Sequence, residues 1–200
     1  MKSILAGLLI IMILIPVVAL AEVTTKVVKN PDETLTRFFY SDNKEIARET
    51  RDRKDNIIKT TGKIPDGVVK EYYASGKLKA EYNYKGGKLE GTSKFYYESK
   101  LVRAEENYKN GKPEGRYRVY YTTGSLGGEW YYENGKREGM TTLYWENGNT
   151  KVERNFKNDK QDGVSKKYYN SGELRYIEMY EMGIKIDRKT YNKNGVLIPN

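Results

Sequence analysis

The sequence contains no cysteine and no histidine. These absences exclude disulfide bonds, thiolate nucleophiles and the usual zinc ligands, and they remove the side chain that most often exchanges protons near neutral pH. Most familiar catalytic constellations therefore cannot be assembled, and no non-repeating acidic cluster replaces them. We predict a protein that is not an enzyme and has no catalytic residue, metal site or cofactor.

The long apolar run of the sequence lies at its N-terminus. Lys2 precedes the apolar stretch from Ile4 to Val18, and Ala19-Leu20-Ala21 fits a small-x-small cleavage site. The pattern predicts a signal peptide over residues 1–21 and export to the periplasm, the cell envelope or the extracellular space. The alternative is an uncleaved N-terminal membrane anchor, although a spanning helix needs about 20 apolar residues.

From Gly67 onward the sequence repeats with a period of 24 residues. A period of this size is typical of stacked repeat proteins. Each repeat contains adjacent aromatic residues and ends in a turn of the form Gly-Lys-x-acid-Gly or a weaker copy of it. The glycines that open the repeats are predicted structural turns: Gly67, Gly91, Gly115, Gly139 and Gly163.

The residue types within the repeats predict β strands. Tyrosine-rich runs lie between Gly, Asn and Ser, and no helical period persists. Each repeat has two turn signals, exemplified by Ser75-Gly76 and Asn110-Gly111, and the second suits a type I′ hairpin turn. We predict an all-β fold class, an antiparallel β-hairpin meander or solenoid of about ten strands built from five 24-residue repeats.

The remaining segments give the domain boundaries. Residues 22–36 are polar and lack a sustained period, which predicts a linker or an extended lead-in. Residues 37–66 look like a degenerate repeat that caps the stack, because Phe39-Tyr40 echoes the aromatic pair of later repeats. The repeat domain then covers residues 67–197.

A two-residue turn at Ser75-Gly76 would fix the register of the first hairpin. The predicted cross-strand pairs are Tyr73 with Leu78, Tyr72 with Lys79, and Lys70 with Glu81. The last pair becomes Lys94 with Glu105 and Arg118 with Glu129 in the next repeats. Opposite charges that face each other across strands stabilise a sheet, so we predict cross-strand salt bridges.

Strand alternation sorts the repeat into two faces. One face is aromatic and apolar, with residues such as Tyr84, Trp130 and Phe156, and the other is charged with one tyrosine per repeat. The apolar face has to be covered by curling of the sheet, by the N-terminal segment, by a second copy or by a partner.

The repeat pattern Tyr72-Tyr73-Ala-Ser-Gly76-Lys-Leu78-Lys-Ala-Glu81, followed by Gly87-Lys88-Leu89-Glu90-Gly91, resembles the bacterial variant of the MORN repeat. It is similar to proteins of the toxin–antitoxin YwqK family of antitoxins. The resemblance covers about residues 67–197. It implies a β-hairpin repeat without an enzymatic site, of a kind that serves as a scaffold, a dimerisation surface or a lipid-associated module.

Two columns of the charged face are candidate functional residues. The glutamates Glu81, Glu105, Glu129 and Glu153 recur once per repeat, whereas a glycosidase needs two carboxylates around one bond, so we interpret them as structural. Tyrosine rings flanked by Lys and Arg can stack on a ligand, or they can pack along the stems of Lys79, Arg103 and Lys151. The candidate interaction surface is the column Tyr72, Tyr96, Tyr120, Tyr144 and Tyr168.

These observations favour an exported, non-enzymatic protein-interaction or envelope-scaffold module. The alternatives are an antitoxin or immunity-type inhibitor of a toxin, and a module that binds anionic membrane surfaces through the formal net charge of +9. A protein partner is expected, and self-association through the apolar face is a further option. Nucleic acid is disfavoured as a partner because of the predicted export.

Overall fold

The computed structural model describes residues 21–54 and 56–199, and every regular element among them is a β strand. The all-β prediction is confirmed. The predicted signal peptide lies outside the described residues except for Ala21. The strands in chain order are β1 (Val23–Lys29), β2 (Leu35–Ser41), β3 (Lys44–Arg51), β4 (Ile57–Gly62), β5 (Gly67–Tyr72), β6 (Leu78–Lys85), β7 (Lys88–Leu89), β8 (Gly91–Tyr96), β9 (Val102–Lys109), β10 (Lys112–Tyr120), β11 (Leu126–Glu133), β12 (Lys136–Tyr144), β13 (Thr150–Lys157), β14 (Lys160–Gln161), β15 (Gly163–Tyr168), β16 (Leu174–Glu181), β17 (Ile184–Tyr191) and β18 (Leu197–Ile198).

The five predicted repeats are five antiparallel hairpins of one sheet. They are β5–β6, β8–β9, β10–β11, β12–β13 and β15–β16. Each hairpin pairs antiparallel with the next, so ten long strands run as a meander, and β17 and β18 extend it at the C-terminal end. The predicted β-hairpin repeat architecture is confirmed.

The N-terminal strands continue the same sheet at its other end. Strand β1 pairs in parallel with β5, with Val23 opposite Val69, and antiparallel with β2, after which β3 and β4 follow. The predicted linker over residues 22–36 is therefore wrong for Val23–Lys29. This segment forms a strand because both of its edges are paired and because Thr25, although polar, is buried and donates its hydroxyl to the Phe38 carbonyl.

The segment predicted as a capping repeat, residues 37–66, packs on the apolar face of the first repeats. Phe39 in β2 is fully buried, and its ring meets the Tyr84 ring edge-on with 5.5 Å between centroids. Ile64, just after β4, is buried in the same cluster as Val69 and Ala80. The sequence allowed several ways of covering the apolar face. At this end of the sheet, the N-terminal segment covers it.

The two turns of each repeat have different geometries. At Asn110-Gly111 both residues have positive φ, 52° and 79°, which confirms the predicted type I′ turn. At Ser75-Gly76 the two-residue prediction is wrong. The Tyr73 amide donates to the Lys77 carbonyl and the Gly76 amide donates to the Tyr73 carbonyl, both at 2.9 Å, so the loop is one residue longer.

The longer loop is followed by a β-bulge that alters the predicted register. Lys70 lies opposite Glu81 as predicted, but Tyr72 lies opposite Leu78 and Lys79 is left unpaired. The pairs of Tyr72 with Lys79 and of Tyr73 with Leu78 are therefore wrong. The same shift recurs before Tyr96, Tyr120, Tyr144 and Tyr168.

The bulged basic residues hold their cations over rings of the aromatic pairs or their neighbours. Lys79 lies over the Tyr73 ring at 6.0 Å and Lys151 over the Trp145 ring at 4.4 Å. Arg103 lies over Phe95 at 5.6 Å. The alternative in which these stems support the Tyr72 column assumed that Lys79 lies directly opposite Tyr72, and the bulge removes that pairing.

Side chains hydrogen-bond neighbouring repeats to one another at fixed sequence offsets. The second tyrosine of the aromatic pair donates its hydroxyl to a carbonyl of the next repeat: Tyr73 to Tyr96, Tyr97 to Tyr120 and Tyr121 to Tyr144, each at 2.6 Å. The acid before the opening glycine accepts an amide of the next closing turn: Asp66 from Gly86, Glu90 from Asn110, Glu114 from Asn134, Glu138 from Asn158 and Asp162 from Met182, at 2.7–3.1 Å. The acid of the x-acid-Gly motif thus caps the closing turn that follows it in the sequence.

We expect Tyr97→Phe to lower the free energy of unfolding by about 1 kcal/mol, because it removes one hydroxyl–carbonyl hydrogen bond between repeats and little packing area. Equilibrium urea denaturation measures the change. Tyr40→Phe is the matched control, since the structure shows no hydrogen bond from its hydroxyl within the described residues. An equal loss in both variants would contradict a specific role for the inter-repeat bond.

Candidate interaction surface

The predicted tyrosine column lies on the charged face, but its hydroxyls are engaged. Tyr96 donates to the Glu81 carboxylate at 2.7 Å, and Tyr168 donates to Glu153 at 2.8 Å. Only Tyr72 of the column is exposed, at 38%. The two columns that the sequence singled out therefore bond to each other, one repeat to the next.

The same pattern holds at Tyr120 and Tyr72 and is broken at Tyr144. Tyr120 donates to Glu105 at 3.1 Å, and Tyr72 donates to Glu22, the residue after the predicted cleavage site. No hydrogen bond joins Tyr144 to Glu129 among residues 21–54 and 56–199. The Glu129 carboxylate lies instead 3.6 Å from Nε of Arg118.

The predicted salt bridges are only partly formed. Arg118 and Glu129 make one, whereas neither Lys70 nor Lys94 reaches its cross-strand glutamate within 4.0 Å in the described part of the chain. The Lys70 ammonium pairs with Glu22 at 3.0 Å. The expectation fails here because tyrosine hydroxyls of the next repeat occupy the carboxylates of Glu81 and Glu105.

The environment of the column shifts its titration. Burial, the largest cause, and the hydrogen bond to Glu81 together raise the pKa of Tyr96 to about 12. Burial and the bond to Glu153 likewise raise the pKa of Tyr168 to about 12. Both causes favour the neutral phenol, which is the form that can donate to the carboxylate.

The opposite, aromatic face is open beyond the second repeat. Tyr117 stacks on Trp130 with 4.3 Å between centroids and 16° between planes, and Tyr132 meets Tyr117 edge-on at 6.2 Å. The Arg137 guanidinium lies over Phe156 at 4.7 Å and over Trp130 at 5.6 Å. These rings are half-buried, and none of them belongs to the buried cluster that the N-terminal strands cover.

Among the described residues, two arginines on this face have no acidic partner. Strand alternation and the pairing of Thr141 with Arg154 place Arg154 on the same side as Phe156, and Arg137 lies opposite Tyr132. No carboxylate oxygen lies within 4.0 Å of either guanidinium in residues 21–54 and 56–199. We define the open aromatic face as Tyr117, Trp130, Tyr132, Arg137, Arg154 and Phe156.

Sequence reasoning missed part of this face. Strand alternation within β10 places Tyr117 on this face with Val119, two residues later, but the aromatic columns of the repeat do not single it out. Arg137 and Arg154 gave no signal, because the same columns hold Leu89 and Tyr82 in the first repeat. In the described part of the chain the structure shows no group of three acidic residues that could hold a metal ion, and no helix of the length and hydropathy needed to cross a membrane.

Comparison with known proteins supports the repeat interpretation. The MORN repeat variant matches four segments, residues 65–85, 89–110, 137–158 and 161–182. The third repeat lies outside these matches, and it has Tyr131 where the first, second and fourth repeats have asparagine. No curated protein matches the sequence.

One solved structure shares only a weak geometric likeness. A chain of the "Crystal structure of GtfA/B complex bound to UDP and GlcNAc" aligns over 82% of this chain with 13% identity and a TM-score of 0.23. The alignment spans 25% of that chain. The likeness is too weak to support an argument about fold or function.

The raised tyrosine pKa values predict a loss of stability in alkali. The unfolded tyrosine ionises near pH 10, whereas Tyr96 and Tyr168 stay neutral up to about pH 12 when folded. Their contribution is complete below pH 10 and is lost between pH 10 and about 12, because only the unfolded state releases protons there. Urea unfolding across this range should show a steeper fall for wild type than for Tyr96→Phe. Parallel curves would contradict the assignment.

Proposed function

We propose that this chain, four of whose repeats match the MORN repeat variant, is an exported, non-enzymatic module that binds a protein partner through the open aromatic face. MORN repeats in general mediate protein or membrane interactions. The main support for the proposal is that the aromatic face is covered at the N-terminal end of the sheet and open beyond the second repeat. The N-terminal strands bury this face over the first repeats and leave the stack of Tyr117 on Trp130 outside the core.

The chemistry of the face favours an acidic partner. Aromatic and arginine side chains are the residues that most often anchor protein interfaces. Arg137 and Arg154 bring two positive charges without carboxylate partners among the described residues. A carboxylate of the partner would pair with a guanidinium in the fork geometry that arginine provides.

The charged face is a weaker candidate for the same role. Its tyrosine hydroxyls are occupied by the glutamates of the preceding repeat, as at Tyr96 and Glu81. A ligand that needed those hydroxyls would have to break bonds that hold repeats together. The tyrosine column therefore supports the repeat stack, and the open aromatic face is the better binding surface.

We expect the double variant Arg137→Gln/Arg154→Gln to lose the partner. Each variant is produced in the natural host, where mild crosslinking traps its partners. The protein is then recovered from the cell envelope, and the bound proteins are identified by mass spectrometry. The matched control is Lys109→Gln/Lys157→Gln, which removes the same charge from exposed positions on the opposite face. A protein recovered stoichiometrically with wild type and control, and at least tenfold less with the double variant, supports the proposal. Equal recovery with all three contradicts it.

The identity of what is recovered separates the alternatives. A single toxin as partner would assign the chain the antitoxin role of the YwqK family, and recovery of another copy of the chain would assign self-association. Binding of wild type to vesicles of anionic phospholipid, lost at high salt, would assign the membrane-surface role. The scaffold role requires a protein of the envelope.

Export is a separate part of the proposal. Glu22, next to the predicted cleavage site, is engaged by Lys70 and Tyr72 in the structure. We expect the mature protein to begin at Glu22, and mass spectrometry of its N-terminal peptide in fractionated cells measures this. An intact N-terminus in the membrane fraction would favour the anchor, and one in the cytoplasmic fraction would contradict export.

A further inference from the structure

A half-open cavity of about 150 Å³ lies where the N-terminal strands meet the first two repeats. Its apolar wall is formed by Val27 and Leu35 from the N-terminal hairpin and by Leu89 and Phe95 from the repeats. Its polar wall contains Arg37 of β2, which lies among aromatic rings. The cavity lies over the first two repeats, and its Tyr108 is on β9, the strand next to the β10 strand that carries Tyr117.

Few groups of the described chain are bonded to the Arg37 guanidinium. Its Cζ lies 4.2 Å from the centre of the Tyr82 ring, and its Nη1 donates to the Tyr84 hydroxyl at 3.0 Å. No carboxylate oxygen lies within 4.0 Å of it among residues 21–54 and 56–199. A guanidinium has five N–H donors, so most of the donors of Arg37 have no acceptor from the described chain.

The neighbouring acids are already bonded. Glu49, which is 1% exposed, accepts Nε of Arg51 at 2.7 Å. Glu71 accepts the Tyr82 hydroxyl at 2.9 Å and the Lys79 ammonium at 2.5 Å. Arg37 is thus a positive charge in the polar wall of the cavity, beside the Glu49–Arg51 pair that also lines it, and among the described residues no carboxylate forms an ion pair with Arg37.

We propose that this cavity binds a small organic carboxylate with a short apolar tail. The carboxylate would accept two hydrogen bonds from Arg37, the pairing that the planar guanidinium favours. The tail would lie against Val27, Leu89 and Phe95, which exclude water from one side. The cavity has roughly the volume of five liquid water molecules, so the ligand is a free acid of a few carbons or the last residue of a peptide.

Calorimetric titration of the purified full chain tests the ligand class. The probes are 4-methylpentanoate, its neutral amide, and a pentapeptide that ends in leucine with either a free or an amidated C-terminus. We expect each carboxylate to bind at least tenfold more tightly than its amide. Tighter binding of the peptide acid would identify a peptide C-terminus as the source, and tighter binding of 4-methylpentanoate a free acid. Equal binding of acids and amides, or no binding of either acid, would overturn the proposal.

Variants locate the binding. Arg37→Gln should weaken carboxylate binding at least tenfold, whereas Arg48→Gln should leave it unchanged, because Arg48 is an exposed arginine of β3 that pairs with Glu45. Leu35→Trp, at a 41% exposed position on the cavity wall, should also block binding without removing a charge. Near-ultraviolet circular dichroism checks that each variant keeps its fold. Binding that survives both Arg37→Gln and Leu35→Trp would place the ligand elsewhere and refute the site.

Discussion

The hydrogen bond from one repeat's side chain to the next repeat's backbone is the interaction on which this structure depends. In a single sheet of hairpins each hairpin contacts mainly the next one, and the ladder bonds alone leave backbone groups of turns and bulges unsatisfied. The Tyr97 hydroxyl and the Glu90 carboxylate reach across to the next hairpin and satisfy groups there. Stability therefore accumulates from neighbour to neighbour, as in other repeat proteins.

The N-terminal strands make one end of the sheet different from the rest. The parallel pairing of β1 with β5 turns the chain back, so that β2 to β4 lie over the first repeats and bury Phe39. Among the described residues, the buried hydrophobic cluster lies where this cover lies. The sheet is thus divided into a packed end, which holds the cavity at Arg37, and an open end, which holds the aromatic and arginine side chains.

Local chemistry made much of the fold predictable. Asn110-Gly111 specifies its turn through positive φ at both residues, and Lys70 faces Glu81 because the hairpin register is set nearby. The bulge after Ser75-Gly76 was missed because two- and three-residue loops use the same residue types. Strand β1 was missed because its pairing with β5 joins residues that are far apart in sequence. The open aromatic face and the cavity depend on where the N-terminal strands pack, which no single repeat encodes.

The constant offsets of the inter-repeat bonds have an evolutionary consequence. A donor and its acceptor stand 23 residues apart at Tyr73, Tyr97 and Tyr121 alike. A duplication or deletion of 24 residues among these repeats therefore rejoins each tyrosine donor with an equivalent acceptor. The number of repeats at the open end can therefore change by replication slippage, one repeat at a time. The N-terminal strands and the cavity beneath them stay unaltered.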